Sequence, residues 1–281
     1  MYDNQPVGLI VRNQKFYTSM LSIIILNYNN VNLLKKCIKS ILDAQIKIDY
    51  ELIVVDNNSR DKSKEFLSQL NLSQIKMQVV INNYNSGYAV GNNQAIKLAQ
   101  GDYIFICNPD IIVLQGSIEK LYSYLKSHSD VGIVGPQLLN LDRTVQYSCC
   151  RFPHWYTPFL RRTFLGRLPL LKKKLEDYLM LDYSHKEKKD VDWMIGAALM
   201  FNKNVFEKLG GFDERYFLYF DDVDLARRIW KEDKRVVYLP NIQMIHAHQR
   251  LSAVHSTLPS LFSKILWIHV QSALKYFWKW R

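Results

Sequence analysis

A run of carboxylates stands beside a dense aromatic block at residues 210–224, which read GGFDERYFLYFDDVD. Burying a carboxylate costs free energy unless a cation, a metal ion or good hydrogen-bond donors meet it. Acidic residues flanked by Tyr216, Phe217, Tyr219 and Phe220 therefore indicate a cleft that uses carboxylate chemistry. The plainer alternative is an acidic helix N-terminus that complements the helix dipole.

Helical spacing separates these carboxylates if a helix begins near Asp221. The face that we predict to be buried carries, besides Asp222, the apolar residues Leu225, Ala226 and Ile229. The other face carries the charged residues Asp221, Asp224, Arg228 and Lys231. Asp224 and Arg228 are then predicted to form a surface ion pair of little energetic weight. Asp222 is the candidate for chemistry.

Length and composition predict one large folded α/β domain with an appendage. The chain has 281 residues, of which 48% are hydrophobic, enough for a substantial core. We expect a cytoplasmic protein, because no stretch reaches the roughly 18 apolar residues that cross a bilayer and residues 1–15 are too polar for a secretory signal. The four cysteines show no CxxC spacing, and Cys37 and Cys107 lie in apolar patterns typical of buried free thiols.

The net charge of +11 is concentrated in two segments. Residues 151–190 hold ten Lys/Arg against five Asp/Glu, and residues 250–281 hold five Lys/Arg against none. The first is predicted to be an inserted, partly helical segment, and residues 258–281 are predicted to form an amphipathic helix. Both suit an anionic membrane surface. Packing on the protein body is the alternative for both.

Strands and helices alternate through the first half of the chain. The predicted strands are short apolar runs at residues 21–26, 51–55, 77–81 and 103–107. The predicted helices between and after them cover residues 31–42, 61–70, 90–99 and 116–126. This alternation predicts a Rossmann-like, mainly parallel sheet flanked by helices. A further strand is predicted at residues 235–239.

Polar residues follow each of the four strands. Asn27 and Asn29 follow the first, Asp56 ends the second, and residues 82–87 and 108–110 follow the others. The carboxyl ends of parallel strands share one edge, where doubly wound folds bind ligands, so we predict a nucleotide cleft there. Asp110 is suited to hold Mg²⁺ or Mn²⁺ on a diphosphate, and a plain turn is the alternative.

Two later segments add candidate site residues. Residues 191–201 form a second compact core element, in which Gly196 and Ala197 allow close approach of a ligand or another backbone. His246 and His248 alternate beyond the last predicted strand. A histidine in such a position is either a core residue or a metal ligand.

In their order, these motifs resemble the family 2 glycosyltransferases of the bacterial rhamnosyltransferase-like branch. The matching segments are SIIILNYN at 22–29, VVDNNS at 54–59, NSGYAVGNN at 85–93, NPD at 108–110, VDW at 191–193 with Gly196-Ala197, GFDE at 211–214, DDVD at 221–224, and His246 with Gln249-Arg250. The resemblance extends from about residue 20 to residue 275. The chain then divides into an N-terminal extension (1–19), a GT-A domain (20–250) and a C-terminal amphipathic segment (251–281). Within the domain lie a nucleotide-binding half (20–115), the basic insertion (151–190) and an acceptor and catalytic half (191–250).

The resemblance implies a GT-A fold, a nucleotide-sugar donor, a divalent cation (Mg²⁺ or Mn²⁺) and inversion at the anomeric carbon. By analogy, Asn27, Asn29 and Asp56 contact the nucleoside, and Asn93 lies near the donor sugar or phosphates. Asp110 matches the last position of the family's Asp-x-Asp motif and holds the metal. Asn108 replaces the first Asp of that motif and is placed on the donor side as a neutral ligand at most.

The remaining roles concern the acceptor and the reaction. His246 matches a position that completes the metal site in some relatives. Asp222 matches the catalytic base, although Asp221 stands where this branch usually has Glu. Trp193, with Gly196 and Ala197, is placed against the acceptor sugar. The branch favours rhamnose carried on dTDP, with UDP-hexoses left open, and a glycan or lipid-linked acceptor in cell-surface polysaccharide (O-antigen) synthesis. The basic segments then suggest peripheral contact with the inner face of the cell membrane.

Two other classes compete with this interpretation. A sugar nucleotidyltransferase needs a Gly-rich phosphate loop with basic residues near the N-terminus, but residues 26–30 contain neither Gly nor Lys. A noncatalytic nucleic-acid-binding protein would account for the net charge. The basic residues, however, cluster away from the strand-end cleft, so we expect no nucleic-acid partner.

Overall fold

The computed structural model describes residues 8–12, 21–70, 75–161, 163–247 and 264–281. Its strands are β1 (Gly8–Arg12), β2 (Leu21–Asn27), β3 (Tyr50–Asp56), β4 (Lys76–Ile81), β5 (Tyr103–Cys107), β6 (Ile111–Ile112), β7 (Val131–Leu139), β8 (Val145–Gln146), β9 (Cys149–Cys150), β10 (Lys189–Asp190), β11 (Trp193–Met194), β12 (Ala198–Asn202) and β13 (Arg235–His246). Its helices are α1 (Val31–Asp43), α2 (Ser63–Gln69), α3 (Gly87–Leu98), α4 (Ser117–Ser127), α5 (Thr157–Leu160), α6 (Pro169–Tyr178), α7 (Lys203–Lys208), α8 (Asp221–Lys231) and α9 (Lys264–Lys279), with a short 3-10 helix at Phe164–Arg167.

A mixed sheet forms the centre of the protein. Its strand order is β1-β4-β3-β2-β5-β12-β7-β13-β10. The predicted strands β2, β3, β4 and β5 are mutually parallel where they pair. β12 runs antiparallel to both β5 and β7, and β13 runs parallel to β7. The mainly parallel α/β architecture is confirmed.

Helices cover both faces of the sheet because successive strand residues point to opposite sides. Ile24 and Ile53 belong to a cluster with apolar residues of α3 and α8. Ile23 and Ile25 belong to the opposite cluster, with apolar residues of α1 and α4. The runs that predicted strands are hydrophobic throughout because neither face of this sheet is left to solvent.

Three elements differ in extent from the prediction. α3 begins at Gly87 rather than near residue 90, and β13 continues past Pro240 to His246. The continuation is possible because the pairing with β7 shifts register between Leu239 and Gln243, which leaves Pro240 outside the ladder. Part of the predicted N-terminal extension, β1, pairs with β4 at the end of the sheet.

Both basic segments contain helices. The insertion forms α5, the 3-10 helix and α6, which agrees with the partly helical prediction. α9 packs its inner face on the body, where Ser272, Ala273 and Tyr276 are buried. No helix among the described residues is long and apolar enough to span a bilayer. The other residues of the predicted C-terminal segment, and His248 with Gln249-Arg250, lie largely outside the described part of the chain.

All four cysteines are buried free thiols, as the sequence predicts for Cys37 and Cys107. The sulfur atoms of Cys37 and Cys107 lie 3.6 Å apart in the core.

Candidate active site

The sheet topology brings separate motifs to one edge. Asn27 and Asp56 end neighbouring parallel strands and pair directly in register. Because β12 is antiparallel to β5, its first residue, Ala198, lies opposite Cys107, and the backbone N–H of Asn108 donates to Ala197 O at 2.8 Å. β13 ends at the same edge, where His246 pairs with Ile111. Residues far apart in the sequence therefore line one cleft edge.

Asp222, in the first turn of α8, is fixed at this edge by backbone donors. The N–H of Gly196 donates to Asp222 Oδ2 at 3.0 Å, and the N–H of Val223 donates to Oδ1 at 2.9 Å. Burial raises the pKa of Asp222 to about 6, against these hydrogen bonds and the charge of Arg161, which lower it. The carboxylate is therefore ionised at neutral pH but holds a proton more readily than an ordinary aspartate, which suits a general base.

The predicted orientation of α8 is wrong for two carboxylates. Asp221 and Asp224 are buried, at 4% and 0% exposure, whereas Asp222 is half-buried. The pair between Arg228 Nε and Asp224 Oδ2 exists at 2.9 Å, but it lies in the interior rather than at the surface. Burial, then the nearby charge of Asp222, raises the pKa of Asp221 well above its ordinary value, so this carboxyl keeps its proton to higher pH than an exposed aspartate does.

A strained turn delivers Asp222 to the site. Tyr219 and Phe220, directly before α8, have φ values of 70° and 65°, a left-handed conformation that bulky residues rarely adopt. Aromatic residues of α9 pack on this turn: His269 lies 4.8 Å from the Tyr219 ring and Tyr276 lies 5.1 Å from the Phe220 ring, between centroids. α9 therefore helps to hold the turn in its unusual conformation.

Tyr88 links α3 to Gly196, which bonds Asp222; the sequence did not single it out, although it stands within the NSGYAVGNN motif. Its hydroxyl donates to Gly196 O at 2.5 Å, and its N–H donates to Phe217 O at 2.7 Å. Burial and the charges of nearby aspartates raise its pKa well above the usual value, so the hydroxyl stays protonated. A Cβ on Gly196 would lie 3.0 Å from Tyr88 Oη, and one on Gly87 would clash with Phe217 O. Both glycines permit this close packing.

Asp110 and His246 form a candidate metal-binding pair. His246 Nε2 lies 3.2 Å from Asp110 Oδ2, and His246 Nδ1 lies 2.6 Å from Gln146 Oε1. An oxygen and an imidazole nitrogen at this spacing fit Mn²⁺, which accepts both donor types, with Gln146 orienting the ring. The described residues hold no group of three His, Cys, Asp or Glu that would bind a metal alone. Phosphate oxygens of a ligand would have to supply the other positions.

The predicted nucleoside residues form a buried network at the ends of β2 and β3. Asn27 Nδ2 donates to Asp56 Oδ2 at 2.9 Å, and the N–H of Ser59 donates to Asp56 Oδ1 at 2.8 Å. Asn27 and Asp56 are fully buried, so their contact with a nucleoside stays a prediction. Asn29 is exposed and accepts from the N–H of Arg60 at 2.6 Å. Asn57, not singled out from the sequence, donates to Asn85 and Gly87 and accepts from Asn82 and Ser86.

Three further candidates differ in accessibility. Asn108 is half-buried beside Asp110. Asn93 is buried and its amide bonds Phe212 O, Phe212 N–H and Glu214, so it ties α3 to the acidic loop, and a donor contact stays a prediction. Trp193 is 6% exposed and donates from Nε1 to Arg151 O. Its ring packs in the core, so the predicted stacking on an acceptor sugar is not supported by this arrangement.

A sheet whose parallel strands end in polar side chains at one edge, with helices on both faces, is the arrangement at which doubly wound folds bind nucleotides. Residues 22–210 match the sequence model for Glycosyl transferase family 2. The match covers well over half of the chain, and the chain belongs to this family. It is therefore a glycosyltransferase, and neither of the two competing classes is retained.

Curated relatives support the rhamnosyltransferase-like branch. The chain is 28% identical to rhamnosyltransferase WbbL of Escherichia coli K12, over 92% of each chain. It is 25% identical to an N-acetylglucosaminyl-diphospho-decaprenol L-rhamnosyltransferase of Mycobacterium tuberculosis, over 82% of this chain and 76% of the relative.

A solved structure shares the fold. The mannosyltransferase PcManGT of Pyrobaculum calidifontis, solved with GDP-Man and Mn²⁺, superposes with a TM-score of 0.57 at 19% identity, over 84% of this chain and 59% of that one. The chain thus spans about three fifths of the length of that structure.

Proposed function

We propose that the protein transfers a rhamnosyl group, with inversion, from dTDP-rhamnose to a lipid-linked glycan in the synthesis of a surface polysaccharide. The rhamnosyl group and the lipid-linked acceptor come from the names of two relatives, rhamnosyltransferase WbbL and N-acetylglucosaminyl-diphospho-decaprenol L-rhamnosyltransferase, and dTDP comes from the resemblance to that branch. The observation that carries the proposal is the fixed, partly desolvated carboxylate of Asp222, with a pKa raised to about 6.

Inversion requires a base on the side of the sugar opposite the leaving diphosphate. Asp222 takes the proton of the acceptor hydroxyl as its oxygen bonds to the anomeric carbon and the carbon–phosphate oxygen bond breaks. Gly196 and Val223 orient the carboxylate through their N–H groups, one on each oxygen, and each oxygen keeps a lone pair that can accept the proton. Tyr88 holds the Gly196 backbone in place from the other side.

The leaving diphosphate carries developing negative charge at the same edge. Asp110 and His246 would hold Mn²⁺ or Mg²⁺, and that ion, when bound, stabilises the charge of the departing nucleoside diphosphate. The two residues supply few ligands by themselves, so we expect cation and diphosphate to bind together.

One experiment tests donor and metal at once. Thermal unfolding is followed with dTDP-rhamnose, UDP-glucose and other nucleotide sugars, each with and without Mn²⁺. A donor at 100 times its Kd stabilises the protein by about 2.7 kcal/mol, and we expect this shift for dTDP-rhamnose only when Mn²⁺ is present. If a UDP-hexose stabilises the protein and dTDP-rhamnose does not, the proposed sugar is refuted. If dTDP-rhamnose gives an equal shift without Mn²⁺, the metal site is refuted.

A second experiment tests the base. Asp222→Asn keeps the shape of the side chain but cannot take a proton, so transfer should fall by about 10²–10⁴-fold while the donor-induced thermal shift is retained. Asp102→Asn, a change at an exposed carboxylate, is the control. Near-normal turnover of Asp222→Asn would remove Asp222 from the mechanism.

A further inference from the structure

The two faces of α9 have different surroundings. Its inner face lies against residues 215–220, the loop that leads into α8, where Ser272 Oγ donates to Leu218 O at 2.9 Å and Lys275 Nζ donates to Arg215 O at 2.7 Å. Its outer face carries three large apolar side chains at helical spacing: Trp267, Leu274 and Trp278 are 58%, 66% and 64% exposed. Residues spaced by seven and four lie on one stripe of a helix.

Cations surround this outer stripe. Lys264 stands in the first turn and Arg281 follows the last, with its guanidinium 5.4 Å from the Trp278 ring. A shallow groove of about 560 Å³ is lined by the apolar residues Leu274, Phe277 and Trp278 and by the cations Lys275 and Arg281. No acidic residue occurs anywhere in residues 250–281. Single exposed apolar residues are ordinary on proteins, but an aligned stripe with flanking cations marks a contact surface.

We propose that the outer face of α9 docks the protein on an anionic phospholipid bilayer. Trp267, Leu274 and Trp278 enter the boundary between headgroups and acyl chains, where the amphipathic tryptophan ring is most stable. Lys264 and Arg281 lie against lipid phosphates, which attract cations close to the surface.

A second copy of the chain is a poorer occupant of this face. A two-fold symmetric contact sets the same surface against itself, so the cations of one copy would face those of the other with no acidic residue of the helix between them. An anionic bilayer instead complements both the apolar stripe and its charge.

Membrane contact rests on the proposed function in one respect: it is useful because the proposed acceptor is lipid-linked. The same helix would contact the bilayer with one face and hold the loop before α8, residues 215–220, with the other. The binding itself needs neither donor nor acceptor, so it can fail or succeed independently of the transferase assignment.

The test is flotation of the full chain with phosphatidylcholine vesicles, with and without phosphatidylglycerol, in the absence of substrates. We expect binding only to the anionic vesicles, weakening as salt is raised. The triple variant Trp267→Ser, Leu274→Ser, Trp278→Ser should lose at least about tenfold in partitioning, because its apolar contact area is removed. Leu141→Ser, at a leucine that is 69% exposed outside both basic segments, should bind as the wild type does.

Further readouts guard against a folding defect and against self-association. Circular dichroism should show unchanged structure in the triple variant, and the single change Leu274→Glu should weaken binding in the same direction. Tryptophan emission of the wild type should shift to shorter wavelength on anionic vesicles. Unchanged flotation of the triple variant, or no flotation of the wild type, overturns the proposal. The proposal is also overturned if light scattering shows that the wild type is a dimer and the triple variant is a monomer, because the outer face of α9 would then bind a second copy.

Discussion

Lys279, at the end of α9, donates to the fully buried carboxylate of Asp224 at 2.7 Å. Trp280 Nε1 donates to the same oxygen at 2.8 Å, and Arg228 Nε donates to the other oxygen at 2.9 Å. A buried carboxylate is tolerated only with such partners. The C-terminal helix therefore completes the charge balance of α8, the helix that carries Asp222.

Removing one partner of Asp224 should destabilise the protein. Lys279→Met leaves Arg228 and Trp280 on Asp224, and Arg215 on Asp213, which Lys279 also contacts at 2.8 Å. We expect a loss of about 2 kcal/mol, the usual weight of a hydrogen bond to a charged group. Urea unfolding measures the difference. Lys264→Met, at an exposed lysine of the same helix, should leave the free energy of unfolding nearly unchanged. Equal stability of the two variants would show that the Lys279 contact carries no weight.

The burial of Asp221 and Asp224 could not be read from helical periodicity. Periodicity identifies the apolar stripe of α8, and Leu225, Ala226 and Ile229 are indeed buried. Periodicity does not reveal that α9, about forty residues later in the chain, covers the face of α8 that carries Asp224. The pairing of Asp224 with Arg228 follows from local spacing, whereas its interior location depends on Lys279 and Trp280.

The central strands were predictable for a simple reason. β2 to β5 are covered on both faces, so their residues form continuous apolar runs ended by polar turns. β12 carries an equally apolar run, but its antiparallel direction, which brings Gly196 to Asp222, depends on pairing with β5. The contact of Asp110 with His246 likewise depends on the pairing of β6 with the extended β13.

The raised pKa of Asp222 should appear in the pH dependence of transfer. The base acts only when ionised, so kcat/KM measured with saturating Mn²⁺ should be half-maximal at about pH 6 and fall towards acid. The residual activity of the His246→Gln variant should show the same acidic limb. The limb would then belong to Asp222 and not to His246. A profile that stays flat down to the range of an ordinary aspartate would contradict the assignment.

Asp221→Asn should gain stability relative to the wild type as pH rises above the ordinary aspartate range. The folded-state pKa of Asp221 is raised, so between the unfolded value, 3.8, and the raised value the folded protein binds one more proton than the unfolded chain. Stability of the wild type therefore falls as pH rises through that window, by at most about 1.4 kcal/mol per pH unit. Asparagine does not titrate, so the variant does not lose this stability. The difference in free energy of unfolding between variant and wild type, measured in urea, should therefore grow as pH rises above 4. Asp102→Asn, at an exposed carboxylate, is the control, and a pH-independent effect of Asp221→Asn would contradict the raised pKa of Asp221.

Arg161 of the basic insertion should tune the base. Its charge lowers the pKa of Asp222, and its guanidinium lies 5.8 Å from the ring of Tyr178. Arg161→Met removes this cation, so the acidic limb of kcat/KM should move to higher pH, by a small step because the side chain is exposed and screened. Arg167→Met, at another exposed arginine of the insertion, is the matched control. High salt should shift the wild-type limb towards that of Arg161→Met, since screening weakens the same interaction. A limb that moves to lower pH, or moves equally in Arg167→Met, would show that Arg161 does not act on Asp222.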